Sequence, residues 1–224
     1  MPYGLQIKNS SGNIIIDGQY KNYALWDSDT ATLDAGVTTI AFTATTQMPL
    51  IALRPGTGKT VILWGLRKTG SNYDGFYVVG GNGDSLDWRV YTAHPAASAQ
   101  NYGLRIYDGS SNLLFDSGYQ YFNIYQLDTG ISLSTPLLTE EAAGTYSDIT
   151  HAGISDPFYF LSPLGFWCYG ISSGSQLRAV WRSAIKKIDA TSVRVKWAKK
   201  FQGPSGGADF DEGWNPNLTL MTLK

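Results

Sequence analysis

The sequence has little charge, one cysteine and two histidines. Its 224 residues include 17 Lys or Arg and 18 Asp or Glu, so the formal net charge is −1. A chain so close to neutral has no long-range field to attract phosphate polymers or anionic lipid, which argues against nucleic-acid partners. A low net charge also does little to oppose self-association, and we expect a homo-oligomer.

Long apolar segments are equally scarce. Cys168 has no second cysteine for a disulfide, and neither cysteine nor histidine occurs at zinc-ligand spacing. Residues 1–4 lack the basic and apolar regions of a secretion signal, and no apolar run approaches the ~20 residues that cross a bilayer. We therefore expect synthesis in a cytoplasm and no membrane insertion.

The residues that are abundant indicate β-structure. The chain has 25 Gly, 14 Tyr, 9 Phe and 7 Trp, which combines turn formers with the aromatic residues that strands favour. No segment suggests the helical crossover that a parallel sheet needs. The predicted fold class is all-β, with sandwich or jelly-roll-like architecture.

An internal repeat organises the sequence. Residues 3–23 and 102–122 align without a gap at an offset of 99, with eight identities in 21 positions. The proline-bounded segments 49–55 and 157–163 align at an offset of 108. A period of about 100 residues matches a small domain rather than a solenoid repeat of roughly 20–50 residues. We predict two tandem β-sandwich domains produced by duplication.

The repeat divides the chain into four parts. We predict a first sandwich at 1–92, a linker at 93–101, a second sandwich at 102–202 and a C-terminal tail or arm at 203–224. Each sandwich begins with a β-hairpin. We align the last strands of the first copy with 166–169, 176–181 and 193–197 of the second.

Two segments have features that are compatible with a short helix. Apolar residues have helical spacing at Val180, Trp181, Ala184, Ile185 and Ile188. The glycine- and aromatic-rich counterpart in the first copy nevertheless favours a strand that ends near Arg182. Residues 139–143 have the composition of one or two helical turns.

Residues 55–60 resemble the end of a Walker A phosphate loop. That motif needs a further glycine, separated by four residues from its Gly-Lys-Thr triplet, and a helix directly after it. Leu53 stands at the glycine position, and residues 61–64 read as a strand. The sequence therefore favours a glycine-rich hairpin turn around Lys59 over a nucleotide site.

No catalytic or metal-binding constellation stands out. The acidic segment 209–213 and the turn 80–84 each offer oxygen ligands for calcium, but neither matches a known calcium loop, and a solvated turn is the favoured interpretation. His94 and His151 lie in segments that read as loops. We predict no catalytic residue, no metal, no cofactor and no enzymatic activity.

Residues 119–125 alternate in the pattern of a strand, with Tyr119, Tyr121 and Tyr125 on one face. That face could pack against another subunit, pack within its own domain or stack on a sugar. Trp214, in the tail, is a further candidate contact, because an extended apolar arm can add to a neighbour's sheet edge.

The start of each repeat resembles a known group of proteins. The Tyr-Gly-Leu-x-Ile segment at residues 3–7, its copy at 102–106 and the closing Asp17 are similar to the start of small structural proteins of long-tailed bacteriophages. The resemblance implies a β-structured tail-tip or tail-fibre-associated protein, located in the virion tail, with other tail proteins as partners. A non-enzymatic structural subunit is the leading hypothesis. The alternative is a carbohydrate- or receptor-binding module that contacts the host surface.

Overall fold

The computed structural model describes residues 6–8, 14–17, 22–93, 97–133, 146–162, 166–171, 177–202, 209–214 and 218–223. Within these residues the chain forms 18 strands and no helix, so the predicted all-β class is confirmed. The strands are β1 (Gln6–Lys8), β2 (Ile14–Asp17), β3 (Tyr23–Thr32), β4 (Gly36–Thr45), β5 (Leu50–Pro55), β6 (Thr60–Thr69), β7 (Asn72–Gly80), β8 (Ser85–Ala93), β9 (Arg105–Tyr107), β10 (Leu113–Asp116), β11 (Ile124–Ile131), β12 (Tyr146–Thr150), β13 (Phe158–Ser162), β14 (Phe166–Ile171), β15 (Leu177–Lys187), β16 (Ser192–Gln202), β17 (Asp209–Trp214) and β18 (Leu218–Leu223).

Two large antiparallel sheets contain most of the strands. Sheet 1 has the order β11-β18-β13-β5-β8-β3, and sheet 2 has the order β12-β16-β15-β6-β7-β4. β14 pairs with β15 and with β17, while the hairpins β1-β2 and β9-β10 form two-stranded sheets of their own. Consecutive strands such as β4, β5 and β6 lie in alternate sheets, so the chain passes repeatedly from one sheet to the other.

The main core lies between the two sheets. In β8, Leu86, Trp88 and Val90 are buried because alternate side chains of a strand point to one face. The Trp88 ring meets the Phe76 ring of sheet 2 edge to face, with 5.8 Å between the ring centroids. Trp197, from the other half of the chain, belongs to the same buried cluster. A single core therefore extends through both halves.

A second apolar cluster lies on the other face of sheet 1. Its buried members are Ala52, Tyr91, Phe158 and Leu223. The segment before β11 pairs with the start of β3, where the Leu25 amide donates to the Gln120 carbonyl at 2.6 Å and the Phe122 amide donates to the Tyr23 carbonyl at 2.9 Å. β3 and β11 are opposite edges of sheet 1, so this pairing requires the sheet to curve around the second cluster.

The strand order of each sheet repeats about its centre. In sheet 1, β5-β8-β3 on one side answers to β13-β18-β11 on the other, and in sheet 2, β6-β7-β4 answers to β15-β16-β12. The central neighbours β5 and β13 are the proline-bounded segments aligned from the sequence, and they pair antiparallel at Leu53 and Tyr159. Both sheets therefore run without interruption through both halves of the chain.

The ladder irregularities occur at equivalent positions as well. The β3-β8 ladder shifts between Leu25 and Asp27, and the β11-β18 ladder shifts between Ile124 and Gln126. These positions are related by the same offset of 99 that aligns the starts of the two repeats. Each edge strand of sheet 1 therefore has a ladder irregularity at corresponding sequence positions.

The two opening hairpins share a register. Gln6 pairs with Asp17 in the first, and Arg105 pairs with Asp116 in the second, which are the same positions at the 99-residue offset. The two-stranded pairing predicted at the start of each repeat is confirmed for both.

The expectation of a C-terminal arm is wrong for residues 218–223. β18 lies inside sheet 1, paired with β11 on one side and with β13 on the other. Its side chains Leu218, Leu220 and Leu223 are fully buried. In the strand order of sheet 1, β18 lies next to β13 as β8 lies next to β5.

The segment with helical apolar spacing is a strand. β15 continues to Lys187, beyond the expected end at Arg182, and pairs along its length with β16. Ile185 and Lys186 also pair with β6. Pairing on both edges overrides the local helical pattern. Residues 139–143 lie outside the described residues.

Candidate functional site

A strand is predicted over residues 119–125, but β11 begins only at Ile124. Tyr121 instead turns back onto the second hairpin. Its ring stacks on Phe115, with 4.6 Å between centroids and 17° between planes, and its hydroxyl oxygen accepts a hydrogen bond from the Asp116 amide. Burial raises the pKa of the Tyr121 hydroxyl. This side chain packs within its own half of the chain.

The other aromatic candidates lie in different places. Tyr125 donates a hydrogen bond from its hydroxyl to the Ala152 carbonyl, in the loop that follows β12. Tyr119 is partly buried, and its amide donates to the Asp116 carbonyl at 3.1 Å. The expected single face of tyrosines on one strand is therefore wrong, because the chain turns before β11 begins. The Trp214 side chain lies outside the described part of the structure.

Asp116 fixes the second hairpin to the preceding linker. Its carboxylate, 2% exposed, accepts hydrogen bonds from the Ser98 and Gly118 amides at 2.8 Å and from Arg105 Nε at 2.9 Å. Arg105 also donates to the Ser98 and Gln100 carbonyls. Burial alone would raise the pKa of Asp116, but these hydrogen bonds outweigh it and lower the pKa to about 2. The carboxylate stays charged and holds the hairpin in one position.

Exposed apolar side chains are concentrated on the second hairpin and β11. Of the eight large hydrophobic side chains that are exposed among the described residues, six lie between residues 102 and 127. These six, which we name the apolar surface, are Tyr102, Leu104, Tyr107, Ile124, Tyr125 and Leu127. Single exposed hydrophobics are ordinary, and six of them in one short stretch of the chain make this stretch a candidate contact region.

A pocket of about 320 Å³ is lined by Arg54, Arg89 and residues 153–158. The guanidinium carbons of Arg54 and Arg89 lie 4.4 and 4.1 Å from the centroid of the Phe158 ring. Arg54 is held by Asp87, to which its Nε and Nη2 donate at 2.9 and 2.8 Å. Phe158 is 5% exposed and lies beneath these guanidinium groups, and Asp156 lines the pocket as well. The pocket therefore presents two arginine side chains and a carboxylate above a buried ring.

The glycine-rich segment around Lys59 is a turn between sheets. It joins β5 of sheet 1 to β6 of sheet 2, so it is a crossing turn and not the hairpin turn expected from the sequence. Gly58 has a φ of 77°, which glycine adopts without strain. Lys59 Nζ forms an ion pair with Asp84 Oδ1 at 2.7 Å. The strand predicted after Thr60 is confirmed, so no helix N-terminus faces this lysine.

In the candidate calcium turn at 80–84, the carboxylate of Asp84 already binds other groups of the protein. Asp84 accepts a hydrogen bond from the Gly81 amide at 3.1 Å and also binds Lys59. The side chains of 209–213 lie outside the described residues. Among the residues that the structure describes, no group of three or more acidic, histidine or cysteine side chains is placed to hold a metal, and no helix could cross a membrane.

His151 lies in the loop that follows β12, as expected, and its side chain is part of the core. It follows β12 directly, is fully buried, and its Nε2 lies 3.3 Å from the Tyr159 hydroxyl. Burial lowers the pKa of His151, and the nearby carbonyl and carboxylate groups offset this only in part. The neutral imidazole therefore suits the fold, because its Nε2 can accept a hydrogen bond from the Tyr159 hydroxyl.

We expect the chain to lose stability as the pH falls below about 6.5, the ordinary pKa of histidine. Below that pH the unfolded chain binds a proton at His151 while the folded chain resists it, so stability falls with pH down to the lowered folded pKa. Urea unfolding at pH 7.5 and 5.5 measures the loss. His151→Gln should flatten the dependence in this range. An equal loss in the variant would assign the effect to other groups.

Comparison with known proteins gives no relative from which a function could be transferred: no family model, curated protein or solved structure matches the chain. Two features remain on which an interpretation can be built. One is the apolar surface of the second hairpin and β11, and the other is the pocket beside Phe158.

Proposed function

We propose that the chain is a non-enzymatic structural component of a bacteriophage tail, at the tail tip or associated with a fibre, which assembles with itself or with other tail proteins. The apolar surface carries this proposal, because exposed apolar side chains of this number are typical of a docking site. Three of the six belong to the hairpin region that Asp116 fixes to the linker. A rigid contact surface loses little entropy on binding.

We also propose that the two halves are copies of one sandwich module. The shared strand order of the half-sheets, the equivalent ladder shifts and the equal hairpin registers all support a duplication. β5 and β13, the same strand of the two copies, pair antiparallel, as they would about a two-fold axis. A duplicated module can present related surfaces to a symmetric ring or fibre. The division at residues 93–101 belongs to this proposal.

The pocket beside Phe158 supports a second candidate function. A receptor-binding module at the tail tip needs a concave site with a few oriented polar groups. Arg54, Arg89 and Asp156 supply such groups around this pocket, and Asp87 holds Arg54 in place. A host glycan that hydrogen-bonds to both cationic and anionic side chains is the ligand that this lining favours.

Incorporation into particles tests the proposed function. In a phage that depends on this chain, we expect the double variant Leu104→Ser/Tyr107→Ser to be reduced in purified particles by about tenfold, because two exposed apolar contacts are lost. Quantitative immunoblotting of the particles measures the change. Met48→Ser, at a side chain that is 62% exposed but outside the apolar surface, is the matched control.

Three results would change the conclusion. Absence of the wild-type chain from purified particles would exclude a structural role in the virion. Normal incorporation of the double variant would show that the apolar surface is not the docking site. Normal incorporation of Arg89→Ala with loss of adsorption to host cells would favour the receptor-binding module.

A further inference from the structure

Residues 120–122 contact the start of β3, but beyond them strand β11 leaves one edge of sheet 1 open among the described residues. It pairs with β18 on one side, and among the described residues no strand pairs with its other side along 124–131. Ile124 and Leu127 on this strand are 39% and 53% exposed. The open edge of a strand presents backbone N–H and C=O groups to which another strand can bind.

The equivalent edge in the first half is protected by charge. At the offset of 99, Gln126 corresponds to Asp27 and Leu127 corresponds to Ser28. The Asp27 carboxylate accepts hydrogen bonds from the Thr43 amide at 2.7 Å and from the Thr43 hydroxyl at 2.9 Å. Charged side chains on an edge strand discourage pairing with another chain. β3 therefore has the charged Asp27 where β11 has Gln126, and Ser28 where β11 has Leu127.

The sequence of β11 is complementary to itself. Its regular ladder with β18 covers Gln126, Leu127 and Asp128, with an irregularity on each side. Antiparallel pairing of two copies, centred on Leu127, places each Gln126 amide opposite an Asp128 carboxylate. In the single chain the Gln126 amide donates to the Asp128 carboxylate at 3.0 and 3.1 Å and to the Thr150 carbonyl at 3.3 Å. Pairing of two copies exchanges the Gln126–Asp128 contact within the strand for one between the strands. The same register in β3 would place Asp27 opposite Asp29 twice, and like charges in such positions destabilise a strand pair.

We propose that β11 binds β11 of a second copy of this chain, antiparallel and centred on Leu127, so that two six-stranded sheets join about a two-fold axis. A two-fold contact of this kind is closed, and it therefore gives a dimer and not a filament. The proposal deepens the proposed function, on which it rests for the role of the chain in an assembly, by naming a second copy as the partner. The hairpin part of the apolar surface stays free for other contacts.

The monomer–dimer dissociation constant of the full chain, measured by sedimentation equilibrium, tests the pairing. Leu127→Lys should raise the dissociation constant by about tenfold or more, because a leucine contact at the axis is replaced by two facing charges. Ser28→Lys, at the equivalent position of β3, is the matched control and should leave the constant unchanged. Circular dichroism and thermal melting confirm that each variant is folded.

A charge exchange tests the register. Gln126→Asp should weaken the dimer by about tenfold, because it places carboxylates opposite each other on both sides of the axis. Adding Asp128→Gln to that variant restores donor opposite acceptor and should restore the dimer.

Three results would overturn the pairing: a wild-type chain that stays monomeric at every concentration, equal effects of Leu127→Lys and Ser28→Lys, or no rescue in the double variant. The proposed function would still stand in each case if Leu104→Ser/Tyr107→Ser is depleted from particles. If Leu104→Ser/Tyr107→Ser is incorporated normally and the wild-type chain dimerises through β11, only the proposed docking site is overturned.

Discussion

A chain that ends at residue 217 is expected to be unfolded. The truncation removes β18 and leaves the facing edges of β11 and β13 without partners. It also removes Leu218, Leu220 and Leu223, and burial of each leucine contributes about 1.5–3 kcal/mol. The net stability of a domain is about 5–15 kcal/mol, so the loss is of the same size as the whole. Near-UV circular dichroism and calorimetry should show no cooperative transition.

Point substitutions separate a core strand from an appended arm. Leu220→Ala should lower the free energy of unfolding by about 2–5 kcal/mol, since it leaves a cavity in the core between the sheets. Thr219→Ala, on the other face of the same strand, is the matched control and should cost less than about 1 kcal/mol. A truncated chain that melts like the full chain, together with a mild Leu220→Ala, would show that β18 is an arm.

The strands are predictable from sequence where local pattern decides them. Leu86, Trp88 and Val90 alternate with polar residues in β8, and this period of two is what a strand with one face in the core requires. The opening hairpins are predictable because their turn residues and the repeat agree. Local sequence patterns of this kind are sufficient to predict that the fold class is all-β.

The partners of the strands are not predictable in the same way. Leu218 and Leu220 alternate with Thr219 and Met221, a pattern that fits an edge-adding arm as well as a central strand. Under the proposed duplication β18 corresponds to β8, and this correspondence is obscured because β14 and β17 have no counterpart among the described strands of the first half. Leu86 and Leu218, both fully buried next to the central pair of sheet 1, are 132 residues apart, whereas the hairpins are 99 apart. A gapless alignment cannot follow such a change in offset.

The candidate site is predictable only in part. The identity of Asp17 and Asp116 marks a position of structural importance, but its linker contacts depend on Arg105, where the first copy has Gln6. The alternation around Tyr121 predicts a strand, yet its ring stacks on Phe115 and its hydroxyl accepts a hydrogen bond from the Asp116 amide. Exposure depends on what covers a side chain, and sequence pattern alone carries little information about it.

Replacement of Asp116 by alanine is expected to destabilise the second hairpin strongly. The substitution leaves the Ser98 and Gly118 amides and the Arg105 guanidinium without their buried acceptor. A buried donor that loses its acceptor costs about 1–3 kcal/mol, whereas the Arg105 side chain, which is 34% exposed, can be solvated. Asp108→Ala, in the exposed turn of the same hairpin, removes a carboxylate that accepts hydrogen bonds from Ser110 and Asn112, and it should cost about 1 kcal/mol or less.

Hydrogen exchange and acid titration test whether the effect of the substitution is located at the second hairpin. In Asp116→Ala, amides over 97–118 should exchange faster than in the wild-type chain, while those of β8 keep their protection. Because the folded pKa of Asp116 is about 2 and the ordinary value is 3.8, its stabilisation is present above pH 3.8 and is lost as the pH falls toward 2. The variant should lack that loss. If Asp116→Ala and Asp108→Ala exchange alike over 97–118, the carboxylate does not fix the hairpin, and the apolar surface has no rigid support.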